Sequence, residues 1–165
     1  MAYISFQPND YFNTLLYTDN GANRTLTGVG FQPDWVWIKT RNHANSHNIF
    51  DAVRGANKVI RSNSTSAEVT TTDTLTAFTS DGFSLGVDAS GYGVNYDNKN
   101  EVSWNWKAGN SAGSSNSDGN ITSTVSVNTT AGFSIVKYTG NETGTRTIGH
   151  GLGAVPKMII IKNLD

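Results

Sequence analysis

The chain has 165 residues, 12 Lys and Arg against 13 Asp and Glu, a formal net charge of -1 and only 15% charged residues. That length fits one domain, or one domain and part of a second, and the near-neutral balance excludes the dense basic surface of a nucleic-acid binder. The absence of cysteine removes disulfide scaffolds, thiolate zinc sites and cysteine nucleophiles together.

The pattern along the chain is β. In chain order, Leu15–Tyr17 is a short apolar run, and Trp35–Lys39 alternates after the turn signal Gln32-Pro33-Asp34. Asn48–Phe50, Val59–Ile60 and Leu75–Phe78 are further short runs, and Phe83–Val87 follows Asp81-Gly82. Val102–Trp106, the Thr-rich Ile121–Val127, Phe133–Tyr138 and Lys157–Ile161 complete the series. Runs about 8–12 residues apart predict an all-β fold, a two-sheet antiparallel β-sandwich of jelly-roll or lectin/laminin-G type. Asp51–Gly55 is the one place for a helical turn, which Gly55 would end. The longest apolar run, Met158–Ile161, falls far short of the roughly 20 residues a bilayer needs, so no membrane insertion is expected. The opening Met1–Phe6 has no basic start and does not read as a secretory signal.

Residues 1–108 read as a β-sandwich module and residues 109–120 as a Gly/Ser/Asn-rich linker. Residues 121–165 then either complete the sandwich or open a second repeat. An internal repeat favours the boundary: FSIVKYTGNETGTRTIGHGLGAVPKMIIIKN at 133–163 shares its frame with FNTLLYTDNGANRTLTGVGFQPDWVWIK at 12–39. Tyr17 matches Tyr138, Arg24-Thr25 matches Arg146-Thr147, and Ile38-Lys39 matches Ile161-Lys162. The offset drifts from 121 to 123, which two small insertions accommodate. The expectation is one full module and the opening of another, the chain being a piece of a longer repeated protein.

The segments MAYISFQPNDYFNTLLYT, TGVGFQPDWVWIKTRN, FDAVRG, SNSTSAE, LTAFTSDGFSLG and VSWNWKAGNSAGSSNSDGNITSTVSVNTTAGFSIVKYTG occur in that order. Together they resemble the repeated modules of large structural proteins from marine tailed phages that infect cyanobacteria and other abundant ocean bacteria. The resemblance covers essentially the whole chain. It implies a virion location and a non-enzymatic role as a tail fibre or surface appendage, in assembly and host attachment. The implied partners are other virion proteins, host surface polysaccharide, and further copies of the chain in a homo-oligomer, by analogy a trimer. It implies no established ligand and no catalytic residues. A capsid-decoration or scaffold protein without ligand, and a calcium-dependent carbohydrate-binding module, are the alternatives.

The residues themselves offer little catalysis. His43, His47 and His150 form no triad or H-E-x-x-H pattern, and no G-x-S-x-G elbow occurs. Glu68, Glu101 and Glu142 are the only glutamates. Glu101 opens a strand, where an exposed edge charge limits aggregation. The Asp88–Asn100 loop is richer. Asp88 and Asp97, with neighbouring Asn side chains, supply oxygen ligands enough for Ca²⁺, although the same composition is ordinary turn chemistry. No other cofactor is expected. Ser114–Gly119 mimics the start of an EF loop but lacks its first and last ligands. For carbohydrate, Tyr92 and Tyr96 would stack on a sugar ring while Asn95 and Asn98 bind hydroxyls, because loops on a rigid scaffold carry function. The four tryptophans are expected in the core, as the largest apolar groups of a chain short of Leu, Ile and Val. Arg24, Lys39, Arg41, Arg54, Lys58 and Arg61 concentrate positive charge in the first half, as a solvated face or a patch for acidic polysaccharide.

Overall fold

A computed structural model describes residues 7–96, 98–141 and 144–165. After a 3-10 turn at Pro8–Asp10, the strands are β1 (Phe12–Thr18), β2 (Arg24–Thr27), β3 (Trp35–Thr40), β4 (Asn48–Asp51), β5 (Lys58–Arg61) and β6 (Val69–Thr70). They continue as β7 (Leu75–Thr79), β8 (Gly82–Leu85), β9 (Asn100–Trp106), β10 (Ser114–Asn116), β11 (Ser123–Asn128) and β12 (Phe133–Tyr138). The fold is all-β with antiparallel strand pairs. It has three sheets where two were expected: a six-stranded sheet β1-β9-β3-β4-β5-β6, and the three-stranded sheets β2-β8-β7 and β10-β11-β12.

The first two sheets share one core. β3 shows why: Val36 and Ile38 point to one face and are fully buried, while Trp35 and Trp37 point to the other. Tyr17, Phe50 and Val59 join Val36 and Ile38 from the six-stranded sheet, and Leu26, Leu75, Phe83 and Leu85 meet them from β2-β8-β7. Each fully buried side chain of this size is worth about 1.5–3 kcal/mol of transfer energy. The β7–β8 hairpin turns through Ser80 and Asp81, and at Gly82, which opens β8 with φ 154, a Cβ would stand 2.0 Å from the Leu26 carbonyl oxygen, so only glycine fits. At Asp51–Gly55 the Gly55 N–H donates to the Asp51 carbonyl at 3.0 Å, closing a single helical-type turn at the predicted place.

The tryptophans correct the expected core. Trp35 lies opposite Trp106, and Trp37 opposite Trp104, across the β3–β9 ladder. All four are half-buried on the outward face of the six-stranded sheet. β9 is thus reversed relative to its hydropathy pattern. Its polar residues Glu101, Ser103 and Asn105 point inward and are wholly buried, while Trp104 and Trp106 point outward. Inward burial is tolerable where hydrogen bonds replace water, and the Asn105 amide donates to the Asn13 carbonyl at 3.1 Å. Glu101 is therefore not the exposed edge charge expected from sequence: β9 is an inner strand between β1 and β3.

The third sheet leans on the tryptophan face through Phe133, which stacks on Trp106 (6.0 Å between ring centroids) and meets Trp35 edge-on (6.3 Å). Its first strand, β10, falls inside the 109–120 stretch and pairs with β11. Lys157–Ile161, expected as a strand, has no ladder partner among the described residues.

Candidate ligand-binding surfaces

The loop from Gly86 to Asn100 is built around Asp88. This residue takes a left-handed conformation, φ 53, and is fully buried. Its carboxylate accepts the backbone N–H groups of Tyr92 (2.9 Å), Gly93 (2.8 Å), Val94 (2.8 Å) and Asn95 (3.3 Å). Both oxygens thus accept from the loop's own backbone. Asp97 lies outside the described residues. Among those residues no three His, Asp or Glu groups are placed to hold a metal ion.

Of the four residues expected to meet sugar, two are structural. Asn95 is fully buried, and its amide donates to the carbonyls of Ala22 and Gly86, both at 2.7 Å. Tyr92 is half-buried against the core, with the Arg61 guanidinium 4.7 Å above its ring. Tyr96, 54% exposed, and Asn98, in a left-handed conformation, remain open to solvent. The sequence shows loop composition, and composition alone does not separate the residues that build a loop from those it presents.

The loop also rests on a buried acid. Glu101 faces Tyr17 and Thr40 across its two ladders. Tyr17 Oη and Thr40 Oγ1 donate to the loop carbonyls of Val94 (2.8 Å) and Gly93 (3.3 Å). Burial pushes the Glu101 carboxyl up to about 8; Thr40 pulls it down and the Asp19 negative charge adds to the rise.

Next to this loop lies a groove that sequence reasoning did not single out. It is open and polar, and runs along the outward side of β2-β8-β7, with Gly86 and Val87 at its loop end. Arg24, Thr25, Asp73, Thr76 and Ser84 line it. Thr25 and Ser84 face each other across the β2–β8 ladder with hydroxyls 2.9 Å apart, and Ser90 fixes Asp73 by donating from its N–H (2.9 Å) and hydroxyl (2.8 Å). The groove's strand hydroxyls, Thr25, Thr76 and Ser84, come one each from β2, β7 and β8, so no single stretch of sequence announces them.

A family model matches residues 7–165, from the 3-10 turn through the extended C-terminal segment. The chain belongs to the family described as domain of unknown function DUF7483. No curated protein and no solved structure matches it. The match embraces all three sheets, so the loop, the groove and the tryptophan face are features of one DUF7483 unit.

The basic residues of the first half do not form one free patch. Arg54, 5% exposed at its side chain, binds Asp51 (2.5 Å) and Glu68 (3.1 Å), and donates to the carbonyls of Ile49 and Lys58. Lys58 reaches Glu68 at 3.5 Å, and Lys39 caps the Thr40 and His43 carbonyls. The histidines are also engaged: the Trp37 indole N–H donates to His47 Nδ1 at 3.1 Å, and the Leu152 N–H donates to His150 Nδ1 at 3.1 Å. Burial, then the Lys39 charge, lowers the His47 pKa. No helix of the described residues is long and apolar enough to cross a membrane, which says nothing of β-barrels.

Proposed function

We propose that this DUF7483 chain is a non-enzymatic module of a phage virion, part of a tail fibre or surface appendage, acting in assembly and in attachment to host surface polysaccharide. The virion setting rests on the sequence resemblance. The attachment role rests on one observation, the open groove in which Arg24, Asp73 and paired hydroxyls on β2 and β8 are held by their own hydrogen bonds. A row of fixed donors and acceptors on an open face suits a polyhydroxylated chain that passes along it. The finer fold reading, a two-sheet jelly-roll or laminin-G-like sandwich carrying an extra meander, is supported by the core that the six-stranded sheet shares with β2-β8-β7. Such modules gain affinity by repetition, each site binding weakly and the array binding well.

The test is binding of the chain, clustered on beads, to marine cyanobacterial cells and their isolated polysaccharides. The expected result is saturable binding that free polysaccharide displaces and that an Arg24→Ala, Ser84→Ala double variant weakens at least tenfold. Loss on Tyr96→Ala with the groove variant unaffected would move the site to the loop. No binding by the clustered chain would favour a scaffold or capsid-decoration role.

A further inference from the structure

Val155, Met158, Ile159, Ile160 and Ile161 are each at least half exposed, up to 81% for Val155. Four of them are consecutive, so both faces of the segment are apolar and bare. A strand covered on one face alternates apolar and polar residues; a continuous apolar run marks a strand covered on both faces. Two bonds tether its far end to the first module: Lys162 Nζ donates to the Ser66 carbonyl (2.8 Å), and the Glu68 N–H donates to the Leu164 carbonyl (2.8 Å). The backbone between 157 and 161 has no partner among the described residues.

The internal repeat indicates what this segment is shaped to meet. Between residues 12 and 39 the buried core members are Tyr17, Leu26, Val36 and Ile38. In the repeat frame their counterparts are Tyr138, Ile148, Ile159 and Ile161, large and apolar or aromatic at every place. Yet Tyr138, Ile159 and Ile161 are 39%, 71% and 74% exposed. Ile148 is half-buried and bridged to the buried Ile121, so the core chemistry kept at the other three places is what stands uncovered. The counterpart of the segment is β3, which has β9 on one edge and β4 on the other.

We infer that Lys157–Lys162 is the β3-type strand of a second module, and that it docks between a β4-type and a β9-type strand of the chemistry found here at residues 48–106. Ile159 and Ile161 then enter a core as Val36 and Ile38 do, and Met158 and Ile160 take the outward places of Trp35 and Trp37. A second folded copy of this chain is not the occupant, because its β4 and β9 are already paired on both edges. The inference stands on the repeat and the exposed isoleucines and is independent of the attachment reading.

The experiment extends the chain with its own strands: residues 1–162 followed directly by residues 40–107. Hydrogen exchange is read at Ile159 and Ile161 in the extended and the 165-residue chains, with Val36 and Ile38 as internal controls. Protection at Ile159 and Ile161 should rise at least 100-fold on extension, and Ile159→Ser with Ile161→Ser should abolish that gain. Free exchange at Ile159 and Ile161 while Val36 and Ile38 stay protected would overturn the inference. A second measurement needs no extension. In the 165-residue chain the same double substitution should leave the melting midpoint within about 2 °C and reduce binding of an apolar dye. A large fall in the midpoint would show the segment already packed on its own chain, and would equally overturn it.

Discussion

Asp88 holds four backbone N–H groups in a site closed to solvent. Removing the carboxylate strands those donors, and each buried donor left unmade costs about 1–3 kcal/mol. Asp88→Ala should therefore destabilise the fold by about 3 kcal/mol or more in chemical denaturation, whereas calcium or a chelator should leave the wild-type melting midpoint unmoved. Glu101 makes a pH prediction. Its folded-state pKa of about 8 stands above the ordinary glutamate value of 4.5. Its contribution is fully present below pH 4.5, is lost as pH rises through 8, and does not fall further above that. Melting between pH 5 and 8 should show stability declining as pH rises, and Glu101→Gln should flatten the slope. A wild-type profile that rises from pH 5 to 8 would contradict this. Neither residue's role was legible in sequence. Asp88 looked like a metal ligand because a turn rich in Asp and Gly has the composition of both a cation loop and a self-capped one. Glu101 looked exposed because its burial depends on β1 and β3 closing over it from far away in the chain.

At the scale of elements, hydropathy alternation located strands well and oriented them less well. β3 was legible because β-branched and aromatic residues alternate strictly after a Pro-Asp turn. β9 alternates equally clearly, but register turns its tryptophans outward to lie beside those of β3, leaving Glu101, Ser103 and Asn105 inside. β2, β6 and β10 carry no alternation to find, being short and built largely of Thr, Ser, Asn and Arg. Lys157–Ile161 shows the converse: a full strand pattern with no ladder, because a strand is completed by its neighbours and not by its own sequence. Phe133 is the hinge of the outward face. Its stacking on Trp106 and edge contact with Trp35 predict that Phe133→Ala loosens the β10-β11-β12 sheet, at a cost on the order of 2 kcal/mol, below the 3–5 kcal/mol of a fully buried Phe. Tryptophan emission should shift to the red while the β1-β9-β3 amides keep their protection. Unchanged emission would show that the third sheet does not depend on this contact.

Over the whole molecule, the all-β class was present in the spacing of the short apolar runs. The number of sheets was not, because the third sheet forms partly from a stretch that reads as a linker. The groove was hidden for a related reason: its parts come from β2, β7, β8 and the turn at Asp73, which only tertiary pairing brings together. Its place beside a loop fixed by Asp88 gives a rigid polar surface on a scaffold whose other conspicuous face, the tryptophans, is partly covered by Phe133. Attachment is assigned to that groove. The measurement that bears on it most directly is saturable binding of the bead-clustered chain to host polysaccharide, with and without Arg24→Ala and Ser84→Ala. Binding should compete with free polysaccharide and fall at least tenfold in the double variant while the melting midpoint holds. Binding of equal strength in the variant, or none in the wild type, would contradict it.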